Sequence, residues 1–169
     1  PGEIVEEFRQ LLSEVWKINP EIKVVFTVSP IRHWKDGAIE NQRSKATLLL
    51  AADQLIRGFG EENCNYFPAY EIMMDELRDY RFYEEDMIHL STSAINHIWE
   101  KFQLALIDEK SRGISEKVKN IISAVNHRPF KKFTSKHLHF LNQSLEKAQK
   151  LEEKFPYLNL NFEKDFFFK

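Results

Sequence analysis

A seven-residue run of β-branched and aromatic character, Ile22–Val28 (IKVVFTV), lies between two long stretches of helical periodicity. It is too short for a helix and too continuously apolar for a strand with one wet face. The reading that fits is a buried parallel strand, which needs a helical crossover to reach its neighbour. Upstream, Ile4, Val5, Phe8, Leu11, Leu12, Val15 and Trp16 repeat at the spacing of an amphipathic helix over Glu3–Ile18. Asn19-Pro20 stops it, because proline disfavours a helical residue before it. Helix, tight turn and buried strand make half of a βαβ unit. The strand expected ahead of the first helix is not among these residues, and the opening Pro1 reads as a cut from something longer.

After the strand, Lys35-Asp36-Gly37 predicts a turn and Glu40–Arg57 a helix with Ala46, Leu49, Leu50, Ala52, Leu55 and Ile56 inward. Gly58 and Gly60 suit its C-terminal end. Asn65–Tyr70 reads as a short strand or extended segment, with Pro68 placing it near an edge. One or two helical turns are expected over Tyr70–Leu77 and a loop over Arg78–His89. A helix then starts at a Ser91 or Thr92 cap, with Ala94, Ile95, Ile98, Trp99, Phe102, Leu106 and Ile107 as its stripe. Asp108–Gly113 is expected to close that helix. Two more helices are predicted over Ser115–Val125 and Thr134–Phe155. The phenylalanine-rich tail from Tyr157 reads as a strand or as a segment docking its aromatics. The expected organisation is an α/β part over 1–110 and a helical extension over 111–169.

A net charge of −2 gives no global pull toward nucleic acid or membrane. A single cysteine, Cys64, rules out an internal disulfide and any CxxC motif. No apolar run approaches the roughly 18 residues that span a bilayer. The compartment stays open, with the cytoplasm slightly favoured.

Two stretches carry candidate chemistry. In YEEDMIHLS (Tyr83–Ser91), Asp86 stands three residues ahead of His89. A carboxylate there can accept the Nδ1–H bond of the imidazole, fix its tautomer and leave Nε2 free to take a proton. The same two residues could equally be a surface Asp and a helix-flanking His. FTVSPIRHW (Phe26–Trp34) ends the strand in polar and aromatic side chains, where open α/β sheets bind ligands. Arg32 could hold a carboxylate or phosphate, and His33 and Trp34 could line a pocket. The plain alternative is a polar loop with Trp34 packed on the sheet. Asn41 and Lys45 could face the same rim or lie in solvent.

Other candidates are poorer. Ser29 is followed by proline and Ser91 is a cap, so neither suits a nucleophile elbow. Cys64 sits between two asparagines in an expected turn with nothing to lower its pKa. His137 and His139 are two apart on a helix and point to different sides, a poor metal chelate even with His127 near. The basic Phe130–His137 stretch is short for a nucleic-acid site. No metal set and no cofactor motif is read.

FTVSPIRHWKDGAIENQRSKATLL (Phe26–Leu49) with YFPAYEIMMDELRDYRFYEEDMIHLS (Tyr66–Ser91) resembles the C-terminal half of the GSCFA domain. That family is similar to the SGNH, or GDSL-like, hydrolases. The resemblance covers roughly residues 1–105. It implies a partial flavodoxin-like α/β/α sheet, with Asp86 as the orienting acid and His89 as the general base. It implies a serine esterase acting on an acyl group of a carbohydrate or small alcohol. The family's serine belongs to a G-S-C-F-A segment that these residues lack, as are the upstream blocks expected to supply the oxyanion-hole donors. Arg32, His33 and Ser29 are placed on the substrate-binding rim by position. A chain with base and orienter but no nucleophile is expected to be inactive alone. It would pair with its missing half or with another copy, or would serve as a non-catalytic binding or assembly module.

Overall fold

The computed structural model describes residues 1–129 and 134–168. They form two compact units, Pro1–Ala105 and Leu106–Lys169.

The first unit opens with helix α1, Gly2–Ile18, which ends where Asn19 turns extended ahead of Pro20. Val5 and Leu12 are buried. The Trp16 indole N–H donates to the Ile22 carbonyl at 2.9 Å, so the turn after α1 is tied back onto its last coils. Strand β1 is only Val24–Phe26, and it pairs in parallel with β2, Cys64–Tyr66, with Val24 opposite Cys64 and Phe26 opposite Tyr66. The seven-residue buried strand is therefore corrected. Val24 and Phe26 are half-buried and Val25 is 39% exposed. The cause is pairing on one edge: the Val24 N–H and the Phe26 carbonyl bond to the β2 side, and Val25 presents its backbone to the other edge. Among the described residues the two strands are parallel and joined by a helix, which makes the arrangement α/β; most of these residues are helical.

That crossover is α2, Gly37–Phe59, running from Asp36 to Gly60, whose φ of +84° is a backbone setting glycine takes freely. Ala51, Ala52 and Leu55 are buried as an inner face, and Leu55 joins Val5, Ala51, Phe26 and Phe59 in one cluster. Ala46 and Leu50, expected inside, are exposed. The buried positions at this end of α2 are Asn41 and Lys45, because what packs there is loop backbone that needs polar partners. Past β2, α3 (Ala69–Glu71) widens into a π turn over Ile72–Glu76. A 3₁₀ turn, Tyr80–Phe82, follows. The expected loop is thus ordered, and it closes through an antiparallel bridge between Tyr83 and Leu90. Helix α4, Thr92–Leu106, sets Ala94, Ile98 and Phe102 against Phe67, Ile72, Met73 and Leu77.

In the second unit, α5 spans Glu109–Val125. Its start corrects the expectation that Asp108–Gly113 only closes the preceding helix. The Asp108 carboxylate accepts the Ser111 N–H at 3.0 Å, an N-cap, and Gly113 is carried inside the helix. Helix α6 is Ser135–Lys154, and α7 is Asn161–Phe168. The tail is a helix, not a strand. Leu160 and Phe167 stand seven apart and both enter a core with Ile121, Ala148 and Leu151, a spacing that a helix puts on one face. Glu152 anchors α7 by accepting the Leu160 N–H at 2.8 Å and by pairing with Lys164. No helix of the described residues is long and apolar enough to cross a membrane.

Candidate active-site rim

The Asp86–His89 segment is a turn closed on itself. The Glu84 N–H donates to the His89 carbonyl at 2.9 Å, and the Met87 N–H to the Glu84 carbonyl at 3.0 Å. Met87 sits at the apex with φ +59°, the left-handed region, which is uncommon for a residue with a side chain. Asp86 Oδ1 accepts the N–H groups of Ile88 (2.8 Å) and His89 (2.9 Å), and Oδ2 lies 2.6 Å from His89 Nδ1. The imidazole, with the two backbone donors behind it, holds the Asp86 carboxyl down to about 2. With the carboxylate at Nδ1, the imidazole proton sits there and the Nε2 lone pair is available. His89 Nε2 makes no hydrogen bond among the described residues, and the side chain is 62% exposed.

The loop after β1 meets this turn. The Arg32 Nη1 donates to the Met87 carbonyl at 3.1 Å. The guanidinium lies over the Tyr83 ring at 4.4 Å and within 5.8 Å of the Trp34 ring centre. Two side chains of α2 hold the loop from below. Lys45 Nζ donates to the Ser29 carbonyl at 2.5 Å, and Asn41 Oδ1 accepts the His33 N–H at 2.8 Å. Both are buried, and burial pushes the Lys45 ammonium below its ordinary pKa.

Of the residues singled out by sequence, the structure thus brings Arg32 onto the Asp86–His89 turn. His33 joins through its backbone alone, since its imidazole turns to Asp36 at 3.3 Å. The Ser29 hydroxyl accepts the Ile31 N–H at 3.2 Å within its own turn. Ser91 Oγ lies 2.9 Å from Ser93 Oγ and accepts the Ala94 N–H at 3.4 Å, which is a helix cap. Among the described residues neither serine hydroxyl is bonded to His89.

The sequence reading missed Tyr83 as the platform under Arg32 and the Met87 carbonyl as its acceptor. Neither carries a signal in the chain, since a left-handed methionine and a backbone acceptor are set by the fold. Asn41 and Lys45 did carry one: they stand four apart, and Lys45 is seven before Ala52, in phase with the buried face.

Elsewhere, Cys64 is the first residue of β2 rather than part of a turn, and burial raises its thiol pKa, with Glu62 adding to it. His139 Nε2 lies 2.9 Å from Gln143 on α6, and the His127 ring is 5.3 Å from that of Phe140. Among the described residues no three His, Cys, Asp or Glu side chains are grouped to hold a metal ion. Of the basic stretch, residues 130–133 lie outside the described residues.

With this geometry in hand, two family models match the chain. One, described as GSCFA family, covers residues 1–102; the other, described as GSCFA domain protein, C-terminal domain, covers residues 118–169. No curated protein and no solved structure matches.

Proposed function

The chain belongs to the GSCFA family, and on that premise we propose that it carries the base and orienter of an SGNH-type serine esterase. The observation that carries the reading is the 2.6 Å contact between Asp86 Oδ2 and His89 Nδ1, with Nε2 open on an exposed rim. The parallel pair β1–β2 with its α2 crossover is consistent with part of a flavodoxin-like α/β/α sheet. The serine, and the donors that stabilise the oxyanion, would come from outside residues 1–169.

In this reading His89 Nε2 removes the proton from the serine hydroxyl as its oxygen attacks the ester carbonyl. Asp86 stabilises the imidazolium so formed. His89 then gives that proton to the departing alcohol oxygen, leaving an acyl-serine. Water repeats the sequence in the second half, with His89 again base and then acid, and releases the carboxylic acid. The substrate is an acyl ester on a carbohydrate or other small alcohol. In the protein extended to include the serine, His89→Ala and Asp86→Asn should each lower ester turnover on the order of 10³-fold or more, because triad members act as a unit. Undiminished turnover in His89→Ala sinks the assignment.

A second reading, a non-catalytic assembly module, is favoured by the open edge of β1. There Val25 is 39% exposed, and Phe8 of α1, packed edge-on to Phe26 at 5.8 Å, is 38% exposed. Sedimentation of this chain discriminates: a strict monomer at high concentration speaks against self-assembly.

A further inference from the structure

The turn that holds Asp86 and His89 is exposed, and its apex residue has an unfavourable backbone setting. Its own hydrogen bonds close it, and the cost of the left-handed Met87 is one that contacts from outside the turn can offset. We propose that Arg32, seated by Asn41 and Lys45 of α2, is a positioning residue that locks the Asp86–His89 turn. The geometry points to this independently of any reaction; only its use in acyl transfer rests on the reading above.

Arg32 grips the turn twice. Its Nη1 bonds the carbonyl of Met87 at the apex, and its flat face covers Tyr83, the residue that bridges Leu90 at the base. A planar guanidinium can donate in its plane and stack on a ring at once; an ammonium cannot do both. With its face on Tyr83 and Nη1 on Met87, Arg32 still has N–H donors on its other nitrogens. Its own backbone is fixed on both sides. Lys45 holds the carbonyl three residues before it, and Asn41 holds the N–H of the next residue. Both side chains are buried, and each bonds the loop. A rigid helix is thereby linked, through the Arg32 loop, to the Asp86–His89 turn, and the last bond of that link spans 55 positions of sequence.

The test is ¹⁵N NMR on this chain, which requires no ester turnover. Wild type should show His89 as the Nδ1–H tautomer. In Arg32→Ala, the Ile88 and His89 amides, both donors to Asp86, should exchange with water roughly tenfold faster, the factor for losing one charge-assisted bond. The His89 ring nitrogens should average toward a tautomer mixture. The Val24 and Phe67 amides, which bond across the sheet, should not change. Arg32→Lys, which keeps the charge and loses the stacking, should fall between. Wild-type ring signals and amide rates in Arg32→Ala overturn the proposal. So does an equal rise at Val24 and Phe67, which marks general loosening. If Arg32→Ala does not fold, Arg32→Lys is read by the same criteria, and an unchanged turn in it overturns the stacking role. Full turnover in His89→Ala of the extended protein would remove the esterase reading and leave this result standing.

Discussion

Polar contacts in the second unit are almost all local, and the first unit adds to its own local contacts several that reach far along the chain. Asp108 and Thr134 each cap the helix that follows them, Ser144 donates back to Phe140, and Lys150 lies 3.8 Å from Glu146. The exception is Glu152, which fastens α7. In the first unit Arg32 reaches Met87, Tyr70 reaches Gln42, Lys101 reaches Glu76 and Lys45 reaches Ser29. Helices can be specified by periodicity and caps, which a short window of sequence contains. A rim assembled from two loops is specified by bonds that exist only after the chain has folded.

The comparison breaks first if the two apolar cores are not each what holds their unit. Leu55 is 2% exposed in the α1–α2 cluster, and Leu151 is 7% exposed in the α5–α6–α7 cluster. Leu55→Ala and Leu151→Ala should each cost about 2–5 kcal/mol, from lost transfer energy plus the cavity left behind. All three tryptophans, Trp16, Trp34 and Trp99, lie in the first unit, so their fluorescence reads the loss from Leu55→Ala. Far-ultraviolet ellipticity in denaturant reads Leu151→Ala. A loss well under 1 kcal/mol in either would mean that apolar packing is not its main support.

The same contrast explains what was legible in advance. The helix expected over Glu3–Ile18 and the stop at Asn19-Pro20 follow from spacing and proline chemistry, and the structure has that helix over Gly2–Ile18. The start of α5 is hidden in the sequence, because Asp108 stands among residues that suit the end of a helix and yet caps the next one. In the tail, the alternation over Tyr157–Phe162 suggests a strand, while the spacing from Leu160 to Phe167, which docks an aromatic in the core, runs past that window. At the rim, Asp86 and His89 lie three apart, close enough for the sequence to suggest the pair. Arg32 and Met87 are separated by 55 positions, and nothing local connects them. For Asn41 and Lys45 the sequence does not decide between rim and solvent, since polar side chains on a helix are usually solvated. They are buried here because loop backbone needs their hydrogen-bonding groups.

A smaller effect sharpens the contrast between far and local bonds. Asn41→Ala removes the acceptor of the His33 N–H from a buried site and should cost about 1–3 kcal/mol, read by tryptophan fluorescence in denaturant. Thr134→Ala removes a helix cap whose hydroxyl accepts the His137 N–H at 3.2 Å, and should cost about 1 kcal/mol by ellipticity. The Asn41 loss should be accompanied by shifts in the Met87–His89 amide signals. The Thr134 loss should be confined to α6. Asn41→Ala with no change at Met87–His89 would mean that the α2 end of the link carries nothing to the turn.

The smallest effect on stability is the most direct on the site. The Asp86 carboxyl has an ordinary value of 3.8 and is held down to about 2, first by the His89 ring and then by the His89 and Ile88 N–H groups. A depressed carboxyl stabilises the fold fully above its unfolded value. Its contribution should therefore be complete above pH 3.8 and fade as pH falls from 3.8 toward about 2. The ¹³C titration of the Asp86 carboxyl should show a midpoint near 2. His89→Ala keeps both backbone donors and loses the imidazole, so its midpoint should rise and still stay under 3.8. Glu152 in the second unit is also held below its ordinary 4.5, first by Lys164 and then by the Leu160 N–H. His89→Ala should leave the Glu152 midpoint where it was, because its depression is made within α6 and α7. An Asp86 midpoint of 3.8 in the unaltered chain would mean that the carboxylate–imidazole bond is not kept in solution, and the base would then lack its orienter.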